Sequence, residues 1–160
     1  MLIDGASVGL GTLLEVIEPP AMPPPPPKPR SKPSILCLHG KHGNNETSGF
    51  QTMILGLNEY NSKYQCVFLE GPYNAAKFDE GLAKDAKAWH VGKDPVATGL
   101  KTVVEHIESK GPYDGAYAFS QGACVVTLLS DPIVWKAMGG SDARFPPWKW
   151  VIIGCGSDYL

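Results

Sequence analysis

Four short apolar runs limit the fold of this chain more than any other feature. They are Ile35-Leu36-Cys37-Leu38, Cys66-Val67-Phe68-Leu69, Gly115-Ala116-Tyr117-Ala118-Phe119 and Trp150-Val151-Ile152-Ile153-Gly154-Cys155. Each is apolar throughout rather than alternating. A strand of that kind is buried on both faces, the condition of a parallel sheet with helices above and below. The intervening segments fit. Phe50 to Tyr60 reads as a helix with Phe50, Ile54 and Leu57 inward, and Gly99 to Ile107 carries Leu100, Val103, Val104 and Ile107 on one stripe. Gly122 to Leu129 reads as a third helix, and Asn74 to Gly92 as irregular chain anchored by a buried Trp89. Strand and helix alternating in this way predict an α/β fold: an open, mostly parallel sheet with right-handed crossovers. A chain of 160 residues is long enough for one such domain with a core.

Three regions are expected: an N-terminal extension over 1–18, a proline-rich linker over 19–33, and the folded domain over 34–160. The unbroken run Pro23 to Pro27 favours polyproline II and cannot join a sheet ladder. It reads as a semi-rigid spacer that also has the chemistry of a ligand for an SH3 or WW groove. Gly9-Leu10-Gly11 is a poor dinucleotide fingerprint, because Leu14 stands at the third glycine and no strand precedes it. A nucleotide-binding α/β domain is therefore disfavoured.

Met1 to Val16 has no Lys or Arg and is interrupted by Asp4 and Glu15, unlike a secretory signal. The expected compartment is the cytoplasm, with access to the nucleus. A formal charge of −2 offers no basic field for nucleic acid or an anionic membrane. No apolar run approaches the roughly 20 residues that span a bilayer. Cys37, Cys66 and Cys155 lie in the apolar runs and Cys124 follows on the third helix, with no C-x-x-C pair. Reduced, mostly buried thiols are expected, without a zinc site or other cofactor.

The chemistry concentrates in Gly111-Pro112-Tyr113-Asp114-Gly115-Ala116-Tyr117-Ala118-Phe119-Ser120-Gln121-Gly122. A turn, a short apolar strand and a serine among small residues have the form of a nucleophile elbow, in which a sharp strand-to-helix turn exposes one hydroxyl. Ser120 is the candidate nucleophile. Ala118 stands at the first glycine of G-x-S-x-G, so the match is loose there; the other reading is a serine that caps the next helix. In open α/β sheets the chemistry sits at the carboxyl ends of strands, and His39-Gly40 and Ser120 both fall there. The loop after the first strand commonly supplies one oxyanion-hole donor and the residue after the nucleophile the other. Those would be the backbone N–H groups of Lys41 and Gln121, with Gly40 allowing close approach to the substrate. The His39 side chain is read as structural.

Taken together, Gly99 to Ile107, the G-P-Y-D-G of residues 111–115 and the F-S-Q-G-A of residues 119–123 resemble the FSH family of serine hydrolases, a group with the α/β-hydrolase fold. Ile35 to Gly40, Leu69-Glu70-Gly71-Pro72 and Ala88-Trp89 extend the resemblance over residues 34–157. The resemblance implies Ser120 as nucleophile, Lys41 and Gln121 as oxyanion donors, His39, Gly40 and Gly122 as the supporting loop, and an acyl ester or thioester as substrate. Two positions depart from it: Lys41 stands where relatives carry an apolar or aromatic residue, and Ala118 replaces glycine. It also implies a triad in the order Ser, acid, His. No histidine follows Ser120; His39, His42, His90 and His106 all precede it, and Asp158 comes too early to be the acid. His106 is expected to face solvent, and His42 to approach Ser120 only through an unusual topology. The expectation is therefore a hydrolase domain incomplete at its C-terminus, weak or inactive as it stands. The competing class is a non-catalytic module that binds an acyl ligand or a protein.

Overall fold

A computed structural model of the chain describes residues 32–59, 62–92 and 96–155. The expected extension and linker lie outside the described residues, apart from Lys32 and Pro33, as do Tyr60 and Asp158. Those two residues lead into the sheet: Lys32 Nζ donates to Ser62 O at 2.9 Å, and Gln65 N–H donates to Pro33 O at 2.9 Å.

The elements follow in the order β1 (Ser34–Leu38), α1 (Asn45–Ile54), β2 (Gln65–Leu69), β3 (Tyr73–Asn74), β4 (Lys87–Ala88), α2 (Ala97–Lys110), β5 (Gly115–Phe119), α3 (Gln121–Leu129), α4 (Pro132–Ala137) and β6 (Trp150–Gly154). The four apolar runs form one parallel sheet in the order β2-β1-β5-β6. The sheet pairs Leu38 with Ala118 and Ala118 with Ile153, so the ends of three strands come level beside Ser120. The fold is α/β, with helices on both faces.

The first face is aliphatic. Leu36 and Leu38 of β1 and Ala116 and Ala118 of β5 pack under Leu100, Val103, Val104 and Ile107 of α2 and Val125, Val126 and Leu129 of α3. The inward residues of α2 are the stripe predicted from their spacing. Burying each such side chain contributes about 1.5–3 kcal/mol. Short α4 is started by Asp131, whose carboxylate accepts from Ile133 N–H at 2.7 Å, and it sets Trp135 into the same core.

The second face holds Ile35, Cys37 and Tyr117 with Leu57, beneath α1. Here the predicted helix is displaced. It starts at Asn45 rather than Phe50, because Asn44 caps it: the Asn44 side chain accepts from Thr47 N–H at 3.0 Å and Thr47 Oγ1 accepts from Asn44 N–H at 2.8 Å. It ends at Ile54, and Leu57 is buried from the turn that follows. Its buried residues are Ser48 and Thr52, while Phe50 and Ile54 are 60% and 67% exposed. Positions two apart lie about 200° apart around a helix, so a Ser48/Thr52 stripe turned inward directs Phe50 and Ile54 outward.

Residues 74–92 are also more ordered than expected. β3 and β4 form a small antiparallel ladder, Tyr73 with Ala88 and Asn74 with Lys87, around a single 3-10 turn. Trp89 beyond it is fully buried, as expected. None of the four cysteines is in a disulfide; Cys37 is buried, whereas Cys155 lies past the end of β6 and is exposed, against the expectation of a buried strand position. Cys155 follows a fifth strand residue that is glycine, so the chain leaves the sheet before reaching it.

Candidate active site

β5 runs straight into the site. Ser120 N–H still donates to Gly154 O at 2.9 Å, extending the ladder by one residue. The backbone then turns sharply: Ser120 has φ 48° and ψ −115°, and α3 begins at Gln121. A non-glycine residue held at positive φ costs on the order of 1–3 kcal/mol and persists only where its surroundings impose it. The Ser120 side chain makes no capping bond to α3, so the helix-cap alternative does not describe it. Two glycines make room for the turn. A Cβ on Gly122 would lie 2.7 Å from His39 O and 2.9 Å from Leu38 O, so α3 can seat against the end of β1 only with glycine there. A Cβ on Gly40 would lie 2.9 Å from Phe119 Cδ1 and 3.1 Å from Ser120 Cβ. Ala118 is fully buried in the aliphatic core, which accommodates its single methyl group at the first glycine position of G-x-S-x-G.

His39 is a fastener beneath the loop. Gly71 N–H donates to its Nε2 at 2.9 Å, so Nδ1 carries the proton and donates to Gly40 O at 2.7 Å. The ring is fully buried and stacks on Trp89 at 5.2 Å. Burial holds its pKa below the ordinary imidazole range, outweighing the bond to Gly40 that favours the charged form. Both ring nitrogens are engaged within the fold. Trp89 Nε1 donates to His39 O at 2.7 Å. Gln121 completes the knot: its Oε1 accepts from Trp89 N–H at 2.7 Å and its Nε2 donates to His90 O at 2.9 Å. The elbow, the loop after β1 and the chain after β4 are thus tied together by buried polar groups.

The outer part of the loop is tied to the small ladder. His42 N–H donates to Lys87 O and Lys87 N–H to Gly43 O, each at 2.8 Å. Lys41 Nζ and His42 Nε2 both reach Asp79 Oδ2 at 2.8 Å. Those two bonds, Lys41 first, hold the Asp79 carboxyl below its usual range. His42 is thereby directed at Asp79. His106 is not solvent-facing as expected: it is half-buried, stacked on Tyr113, with Nε2 2.6 Å from the Tyr113 hydroxyl. Tyr113, seven residues on at the end of the turn, provides the flat surface that draws it in.

Lys41, His90, Val91, Gly92, Ser120 and Gln121 line one pocket of about 320 Å³. The predicted nucleophile and both predicted oxyanion donors therefore share a cavity; His39, Gly40 and Gly122 are not among its described lining residues. Among the described residues, neither the Lys41 nor the Gln121 backbone N–H has an acceptor, and no imidazole or carboxylate bonds the Ser120 hydroxyl. Sequence reasoning missed the His90-Val91-Gly92 wall, the Gln121 amide and the Asp79 anchor. Only the position of His90 directly after a buried tryptophan hinted at the first. Among the described residues, no three His, Cys, Asp or Glu side chains cluster as metal ligands would.

A strained serine between a parallel strand and a helix, with two backbone donors that have no acceptor among the described residues, is the arrangement of an α/β-type serine hydrolase. The sequence model of the serine hydrolase (FSH1) family matches residues 29–159, and the chain belongs to that family. It is 28% identical over 115 residues to an esterase of Drosophila pseudoobscura pseudoobscura, covering 61% of this chain and 39% of the esterase. It is 30% identical over 116 residues to an esterase of Drosophila melanogaster, covering 61% and 40%. A dihydrofolate reductase of Schizosaccharomyces pombe matches at 27% over 95 residues, covering 59% of this chain and 20% of that protein. The match thus spans about two-fifths of the length of the two esterases.

Proposed function

We propose that the protein cleaves acyl esters or thioesters through Ser120. The observation that carries the reading is the backbone of Ser120, strained at φ 48° with no cap bond to explain it, opening on a pocket shared with Lys41 and Gln121. In this scheme Ser120 Oγ adds to the acyl carbonyl and loses its proton to a base. The carbonyl oxygen takes the negative charge and is received by the Lys41 and Gln121 N–H groups. Collapse of the adduct expels the alcohol or thiol, which takes up the proton, and water then releases the acid. Preorganised donors of this kind contribute about 10²–10³ in rate, even apart from the base. The base is a group not bonded to Ser120 among the described residues.

That same observation gives the non-catalytic module its place: a pocket that binds the acyl group without turning it over. Hydrolysis of 4-nitrophenyl butyrate and of a butyryl thioester, compared between the protein and Ser120→Ala, separates the two. The proposal expects release above background that Ser120→Ala removes. Release that survives Ser120→Ala, or a folded protein that binds the ester without releasing product, contradicts it.

A further inference from the structure

The Ser120 pocket has few aliphatic side chains and two basic ones among its described lining residues. Val91 is the one aliphatic side chain among its described lining residues. Gly92 has no side chain, and the Gln121 amide is spent on Trp89 N–H and His90 O. Apart from Ser120 itself, the remaining groups are the Lys41 ammonium and the His90 imidazole. Small-molecule sites that hold alkyl groups are lined mostly by apolar side chains, and a charge faced by hydrocarbon loses its solvation without return.

Both basic groups are available. The His90 ring has no hydrogen-bond partner among the described residues, whereas the rings of His39, His42 and His106 are all engaged. Burial and then the Lys41 charge hold its pKa below the ordinary imidazole range, so near neutral pH it is an uncharged N–H donor and Lys41 supplies the cation. Lys41 Nζ pairs with Asp79 Oδ2 at 2.8 Å, and both side chains of that pair are about two-fifths exposed, at 42% and 40%. An ion pair so exposed is weak, and it orients the ammonium without removing it from use. No carboxylate is among the described lining residues. At about 320 Å³ the pocket is near the small end for such sites.

We propose that this pocket selects short acyl esters or thioesters whose acyl part carries a second, anionic group, a carboxylate held by Lys41 Nζ and the His90 ring. The proposal rests on the serine-hydrolase reading of the site and names its substrate class. Lys41 and His90 are specificity residues in this account; only the Lys41 main chain takes part in the chemistry.

The test is binding, read by amide shifts in the Ser120→Ala protein so that turnover plays no part. Ethyl hydrogen succinate is compared with ethyl butyrate, which lacks the second charge, and with the butyrate ester of glycolic acid, which carries it on the leaving group. The succinate monoester is expected to bind about five-fold more tightly than either, the scale of one exposed ion pair. Lys41→Gln should erase that preference, Lys41→Arg should restore most of it, and about 0.5 M NaCl should shrink it. Equal or tighter binding of ethyl butyrate or the glycolate ester, no binding of any of the three, or a preference that survives Lys41→Gln overturns the proposal. Failure of the hydrolase reading is seen separately, as absent ester release by the unmutated protein, and leaves the binding comparison readable.

Discussion

On one face of the sheet, α2 and α3 press Leu100, Val103, Val104, Ile107, Val125 and Leu129 onto Leu36 and Leu38. On the other face, α1 turns Ser48 and Thr52 inward and leaves Phe50 and Ile54 outside. The first face is held by area removed from water. The second also buries Ile35, Cys37, Tyr117 and Leu57, but there α1 approaches through small residues, with Thr52 Oγ1 donating to Ser48 O at 2.8 Å. The site draws on both. The aliphatic face anchors α3 and so braces the strained Ser120. The other face is covered by α1, which follows the loop that carries the Lys41 N–H.

The comparison breaks first where burial is greatest. Ile107→Ala removes a fully buried side chain of the aliphatic face and is expected to cost about 2–5 kcal/mol in urea unfolding. A loss under 1 kcal/mol would mean that this face does not carry the stability. Gln121→Leu comes next. It leaves the buried Trp89 N–H and the part-buried His90 O without the Gln121 amide, at about 1–3 kcal/mol for the Trp89 group. It should also slow any reaction at Ser120, because the pocket wall is no longer tied to the elbow. Unchanged stability together with unchanged reactivity would show that the knot is not needed.

The dependence on pH is smaller and has a definite sign. The folded His39 resists protonation, so the unfolded chain takes up the proton first. Stability is therefore full above the ordinary imidazole value of about 6.5 and falls as the pH drops below it. His90 and His106 shift in the same direction, so His39→Gln should flatten the slope only in part. A melting temperature that rises on acidification from neutral pH to about 5.5 would contradict this account. Smallest of all is Phe50→Ser, a change on the exposed side of α1, expected to stay within about 0.5 kcal/mol of the parent. A loss near that of Ile107→Ala would show that something covers Phe50.

The same contrast explains what was legible in the sequence. The aliphatic face could be read because its code is hydrophobic period: the stripe on α2 and the continuous runs of β1 and β5 are the buried residues themselves. α1 could not be read that way, since its buried residues are polar and its apolar ones exposed. The better signal there was Asn44 with Thr47, a cap that marks the true start. In the site, Ser120, Gly122 and the Leu38-His39-Gly40 loop were legible because a sharp turn and close approach demand particular small residues in sequence. His90, Asp79 and the Gln121 side chain were not. Their partners lie between 31 and 38 residues away, and no local pattern announces such contacts.

The central claim is that the strained Ser120 is the reactive group of the pocket. A fluorophosphonate probe followed by peptide mapping tests it directly. The account predicts one adduct, on the peptide carrying Ser120, absent in Ser120→Ala while that variant keeps the parent's fold. An adduct on another serine, or a folded protein that forms none under conditions that label an esterase of the family, would contradict it.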